Sequence, residues 1–201
     1  MERSTRRGFL LTTGSLAGLA VAGPHDLFAH DFVAQELAPT PECRDNDEPT
    51  LAQTEGPFFK PSSPERSDLR ERGAKGKSIE LAGLVVTRRC QPVPRALVDL
   101  WHADERGDYD NSGFRYRGHI LTGADGSYRF RTIMPAVYPG RTRHYHVKVQ
   151  SPGSRLLTTQ LYFPDEAENR RDRLFQRELS MRVASVGDGL GARFDFVLDL
   201  R

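Results

Sequence analysis

The stretch YPGRTRHYHVKV, from Tyr138 to Val149, puts two imidazoles two residues apart in a β-like segment. Side chains two apart on a strand share a face, so His144, His146 and Lys148 point one way and Tyr145, Val147 and Val149 the other. The apolar face can pack against a core. Alternate residues lie roughly 6–7 Å apart at Cα, which lets two neutral imidazoles reach one metal ion. Two histidines alone are an incomplete ligand set, so the remaining donors decide the chemistry. There is no CxxC or HExxH pattern and both cysteines lie outside this segment, which removes most of the support for zinc. Two tyrosines stand nearby in the chain: Tyr109 ends the run Trp101–Tyr109 in a turn, and Pro135 and Pro139 stiffen the loop that carries Tyr138.

The elements that must position these residues read as short strands. The chain has 201 residues, 37% hydrophobic and 28% charged, with 18 Gly and 13 Pro, which describes a turn-rich globular chain rather than a disordered or membrane-embedded one. Apolar or alternating runs bounded by turn residues predict strands at Ile79–Val86, Ala96–His102, Ser127–Ile133, Arg143–Gln150, Thr158–Phe163 and Phe194–Leu198. Asp125-Gly126 reads as a hairpin turn before the third of these, and GDGLG at Gly187–Gly191 as a turn before the last. Only Ala167–Leu179 offers a helical pattern, and a weak one. Short strands at this spacing predict an all-β fold, an antiparallel sandwich with long loops and little helix.

The N-terminus has a different character. A basic start, the apolar run from Gly8 to Gly23 and the small-x-small site Ala20-Val21-Ala22 predict an export signal over residues 1–22, cleaved or retained as an anchor. Arg6-Arg7 followed by Phe9-Leu10 resembles a twin-arginine signal, which predicts a periplasmic or extracellular location. Residues 23–53 read as an extended arm, and the domain proper is expected over 54–201. Arg3, Arg6 and Arg7 against Glu2 carry the whole formal charge of +2, so the remainder is neutral and offers no basic field for nucleic acid. Cys43 and Cys90 could form one bridge from arm to domain or remain two thiols.

Taken together, the segments Thr54-Glu-Gly-Pro-Phe-Phe59, Leu81-x-Gly83-x-Val85, Cys90-x-Pro92-Val93, Val98-Asp-Leu-Trp-His-Ala-Asp104, Thr122-x-x-Asp-Gly-x-Tyr-x-Phe-Arg-Thr-Ile-x-Pro135, Tyr138-Pro139, His144-x-His146 and Thr159-Gln-Leu-Tyr-Phe163 resemble the intradiol ring-cleavage dioxygenases. The resemblance implies a prealbumin-like β-sandwich and one non-haem ferric ion per chain. It also implies oxidative opening of a catechol-type substrate by O₂ to a muconate-type diacid. Tyr109, Tyr138, His144 and His146 match the metal ligands, with Tyr138 also receiving a substrate proton. Phenolate is a hard anionic donor that favours ferric over ferrous iron, and two of them with one hydroxide would balance the triple charge. Arg141 and Gln160 match positions beside the ligands, and a fixed guanidinium there would stabilise charge developing on the ring. Pro57 and Leu81 match pocket walls, whereas His102 and His119 match no ligand position and read as structural.

The sequence departs from the family at Ala136, where glycine is usual, and at Tyr145, where an aliphatic residue is usual. The region before Thr54 is too short for the helical dimerisation segment of the catechol and hydroxyquinol branches, which leaves a homo-oligomer of another kind open. Two rival readings exist. A prealbumin-like or carboxypeptidase-regulatory-like sandwich shares the skeleton without chemistry, and an exported copper- or zinc-binding protein shares the ligands without iron. The polar set Tyr109, Tyr138, Arg141, His144, His146 and Gln160 separates the first from an enzyme, because a plain sandwich has no reason to gather it.

Overall fold

The computed structural model describes residues 48–200. Among these, nine strands form two sheets: β1 (Ser78–Thr87), β2 (Leu97–Trp101), β3 (Arg117–Leu121), β4 (Ser127–Ile133), β5 (His144–Gln150), β6 (Leu157–Tyr162), β7 (Arg182–Val186), β8 (Gly189–Arg193) and β9 (Phe196–Leu198). One sheet has the order β4-β1-β8-β7 with β9 also on β1, and the other has β3-β2-β5-β6. The expected β-sandwich is therefore present, and the six predicted strands fall within two residues of observed ones.

Alternation drives the layering. Tyr128 and Phe130 of β4 are buried while Arg129 and Arg131 face out and pair with Glu80 of β1 at 3.2 and 3.4 Å. On β5, Tyr145, Val147 and Val149 enter the core with Leu81, Leu100, Leu161 and Phe196. Each such side chain contributes roughly 1.5–3 kcal/mol on burial. The unusual Tyr145 is accommodated because its hydroxyl donates to the Ile133 carbonyl at 3.0 Å at the end of β4.

Three local expectations need correction. Pairing is antiparallel except where β1 runs parallel to β8 and β9. These two strands succeed each other along β1 because the chain breaks register at Phe194-Asp195. There the Asp195 carboxylate accepts the Leu84 amide at 2.8 Å, and a methyl on Gly83 would stand 1.7 Å from the Phe194 carbonyl oxygen. The Asp125-Gly126 turn is tight, with Gly126 at φ +75, but it joins β3 of one sheet to β4 of the other and so is no hairpin. Ala167–Leu179 holds only two 3₁₀ turns, Ala167–Arg170 and Arg177–Leu179, because the side chain of Asp172 between them is turned to other work.

Residues 50–53 already dock on the sandwich, with the Thr50 amide on the Val197 carbonyl and the Gln53 amide on that of Thr158. Packing thus begins before Thr54. Cys90 is disulfide-bonded, whereas Cys43, the 1–22 leader and most of the 23–53 arm lie outside the described residues. Among the described residues no helix is long and apolar enough to cross a membrane.

Candidate metal centre

The face of β5 turned away from the core carries His144 and His146, exposed by only 3% and 1%. Their Nε2 atoms stand 3.1 Å apart, and the Tyr109 hydroxyl lies 3.4 Å from the first and 3.1 Å from the second. The Tyr138 ring closes the group, its centre 5.9 Å from that of Tyr109 and 5.7 Å from that of His144. All four sequence-predicted ligands are thereby brought together.

Local structure explains how each is aimed. Tyr138-Pro139-Gly140-Arg141 is a closed turn, with the Arg141 amide donating to the Tyr138 carbonyl at 2.9 Å and Gly140 at φ +81, where proline second and glycine third are the preferred residues. The Thr142 carbonyl lies 2.7 Å from His144 Nδ1 and can only accept, so that nitrogen carries the proton and Nε2 keeps its lone pair for a metal. His146 is oriented by stacking instead. Its partner across the sheet is Trp101 of β2, whose ring lies 5.0 Å away at 7°, and its own Nδ1 is buried with no hydrogen-bond partner.

A strap formed by residues 54–66 crosses this face. A methyl on Gly56, at φ +70, would meet His146 Cε1 at 3.3 Å, and Phe58 stacks on Tyr109 at 4.4 Å and 16°. Lys148, the third residue on the histidine face, fastens the strap through Glu55 at 2.6 Å and over the Phe59 ring at 3.8 Å. Pro57 is an exposed strap residue between two that touch ligands. Leu81 does not join it: the side chain is 1% exposed in the core, on the other side of β5 from the histidines, so the expected pocket wall is a packing residue.

Arg141 and Gln160 meet directly, with Arg141 Nη2 donating to Gln160 Oε1. Arg141 Nε donates to the buried carboxylate of Asp172 at 2.9 Å, and Gln160 is fixed from behind by the Thr54 carbonyl at 2.9 Å and the Tyr162 hydroxyl at 3.2 Å. Asp172 also accepts the amides of Thr142 and Leu174 at 3.0 and 2.8 Å. A cleft of about 350 Å³ opens beside Tyr138, Gly140, Arg141, Arg171 and Asp172.

The donor set tests which group fits. Burial first, then the Arg141 charge, lowers the His144 pKa to about 4, and burial followed by His144 holds His146 well below 6.5. Burial, then Tyr138, raises the Tyr109 phenol, which stays protonated at neutral pH unless a cation arrives. Two neutral imidazole nitrogens and a phenol that a cation can ionise converge within 3.1–3.4 Å, a donor set that fits a metal ion. Among the described residues no group of three His, Cys, Asp or Glu could hold one. A metal ion held here would draw on the phenols as well, hard oxygen donors that suit ferric iron better than zinc.

The two other histidines among the described residues are structural. His102 lies 2.7 Å from the Ala103 carbonyl and 2.6 Å from Thr132 Oγ1, and His119 lies 3.1 Å from Ser63 Oγ, which itself donates to Asp99 at 2.8 Å. Burial lowers His102 to about 4. The unfolded chain takes up that proton near pH 6.5 and the folded one does not, so stability falls as pH drops from 6.5 towards 4, by up to roughly 1.4 kcal/mol per pH unit for this residue. Urea unfolding of metal-free protein at pH 7 and pH 5 is expected to show that loss together with the like contributions of His144 and His146, and His102→Asn to remove its own share of it.

Comparison with known proteins agrees with this geometry. A family model described as Dioxygenase matches residues 54–200. Hydroxyquinol 1,2-dioxygenase of Nocardioides simplex is 32% identical over 150 residues, covering 63% of this chain and 51% of the relative. The protocatechuate 3,4-dioxygenase beta chain of Burkholderia cepacia is 33% identical over 154 residues, covering 61% and 65%. The solved dioxygenase domain of a dioxygenase carbohydrate-binding protein fusion from Streptomyces sp. SirexAA-E shares 52% identity with a TM-score of 0.75, over 77% of this chain and 100% of that one. The chain belongs to the intradiol ring-cleavage dioxygenase family, and it spans 51% and 65% of the length of those two curated relatives.

Proposed function

We propose that this chain is a non-haem ferric intradiol dioxygenase that opens catechol-type substrates with O₂ to muconate-type diacids. The convergence of Tyr109, His144 and His146 to within 3.1–3.4 Å, with Tyr138 alongside, carries the reading. Ferric iron held there would chelate a catecholate and draw electron density from its ring, opening it to attack by O₂. The chain's own groups do the rest. Tyr138, half-buried at the cleft, takes a hydroxyl proton from the arriving catechol while His144, His146 and Tyr109 stay fixed. Arg141, clamped by Asp172 and Gln160, offers a preoriented positive charge to the ring without having to reorganise.

Export by the twin-arginine route fits this reading, because iron inserted in the cytoplasm stays in a protein that crosses folded, whereas an unfolded passenger meets copper and zinc outside. Iron-loaded protein is expected to show the red-brown phenolate-to-iron band and to consume O₂ across a panel of catechol, protocatechuate, hydroxyquinol and chlorocatechols. Product ultraviolet spectra identify cleavage between the hydroxyls. Loaded protein that stays colourless, or takes up no oxygen with any of the panel, overturns the proposal and returns the copper or zinc reading.

A further inference from the structure

Three cations fasten the 54–66 strap to the loop at 109–117. Lys60 Nζ donates to the carbonyls of Ser112 and Gly113 at 2.6 and 3.0 Å. Arg66 donates Nε to the Arg117 carbonyl at 3.0 Å and Nη2 to that of Phe114. Arg117 differs from both because it is only 2% exposed. Its Nε donates to the Asp110 carbonyl at 3.1 Å and its Nη1 to the Phe58 carbonyl at 2.7 Å, while Nη2 is buried with no hydrogen-bond partner.

A buried guanidinium whose bonds go to neutral carbonyls is costly to keep, and an unpaired buried donor asks for a reason. The two carbonyls supply it. Asp110 follows Tyr109 in the chain, and Phe58 is the ring stacked on Tyr109 at 4.4 Å. The guanidinium therefore joins the backbone behind the phenol to the backbone of the ring that covers it. A shift of either segment would move the Tyr109 oxygen from its 3.1 Å approach to His146. The charge also has the sign that attracts an anionic ligand oxygen.

We propose that Arg117 is the positioning residue for Tyr109, fixing the phenol between strap and loop through one two-carbonyl fork. The inference rests on the metal-centre reading above, so its test begins without metal. In metal-free protein, hydrogen–deuterium exchange of Arg117→Met is expected to rise about 10-fold over residues 57–60 and 110–115, with β1 and β4 still protected. Unchanged exchange in those segments overturns the clamp. Iron titration then reads the consequence: Arg117→Met weakens Fe(III) retention about 10- to 100-fold in the wild-type background, and the same substitution introduced into Tyr109→Phe costs little more. Losses that add in full overturn the link to Tyr109.

Arg117→Lys keeps the charge but replaces two donors held in one rigid plane, Nε and Nη1, by a single nitrogen on a flexible stem, so it is expected to fall towards the Met variant; wild-type behaviour in it overturns the fork. If the Met variant loses protection in every strand, the Lys variant decides by the same two measurements. A wild-type protein that retains no iron sinks the functional reading, while the exchange data still decide the clamp.

Discussion

His146→Ala is expected to abolish oxygen uptake and the red-brown band while leaving a folded protein. The imidazole Nε2 lies 3.1 Å from both His144 Nε2 and the Tyr109 oxygen, so its removal deletes a donor from the centre of the group. Loss of one ligand is expected to weaken iron retention by at least about 100-fold, beyond what removing a residue behind a ligand does. Stability separates this from unfolding. The ring is held by Trp101 and by no hydrogen bond at Nδ1, so alanine opens a cavity but also removes an unsatisfied buried nitrogen. These oppose each other, and metal-free melting should change by no more than about 2 kcal/mol. Wild type gains melting temperature when iron is added, because a ligand that binds only the folded state stabilises it, and His146→Ala should gain none. Iron-dependent stabilisation equal to wild type, or undiminished turnover, would remove His146 from the ligand set.

Why was this centre legible in sequence when other parts were not? Period-two alternation on β5 separates a packing face from a histidine face with no knowledge of the fold, and Pro135 and Pro139 mark the Tyr138 loop as stiff, whereas the roles of Tyr109, Tyr138 and Arg141 came from the family resemblance. Such signals are local. The neighbours that hold the ligands depend on register between distant strands, which no local pattern carries. Trp101 reaches His146 only because β2 and β5 pair in one particular register, and Phe58 reaches Tyr109 only through the course of the strap. Leu81 shows the opposite failure, since resemblance put it at a pocket wall and its strand faces it into the core.

Charged residues were the hardest to read. Arg117 sits in a segment, Tyr-Arg-Gly-His-Ile-Leu, that alternates poorly and looks like a solvated turn, yet it is a buried strand end. Asp172 lies in an arginine-rich stretch that reads as a weak helix. Its carboxylate accepts two backbone amides and a guanidinium, and this competition from a side chain is what limits the segment to 3₁₀ turns. Both residues support others, and support of this kind appears only when the fold brings its two ends together.

That arrangement makes Arg141→Met the second large effect. Arg141 is not a metal ligand, so iron content and the red-brown band should remain close to wild type while turnover falls. Removing a preoriented charge from a site where charge develops lowers kcat by about 10²- to 10³-fold, and KM for the catechol should move much less. The guanidinium is held at two points, Nε on Asp172 at 2.9 Å and Nη2 on Gln160, and that fork fixes its plane. Lysine has the charge but not the fork, so Arg141→Lys should recover little of the rate. Asp172→Asn keeps an acceptor for the Thr142 amide but loses the ion pair, and an intermediate fall in kcat is expected. Steady-state oxygen uptake at matched iron content measures all three. A kcat within about threefold of wild type in the methionine variant would mean the charge plays no part at the rate-limiting step, and would leave Arg141 as a brace for the Tyr138 turn.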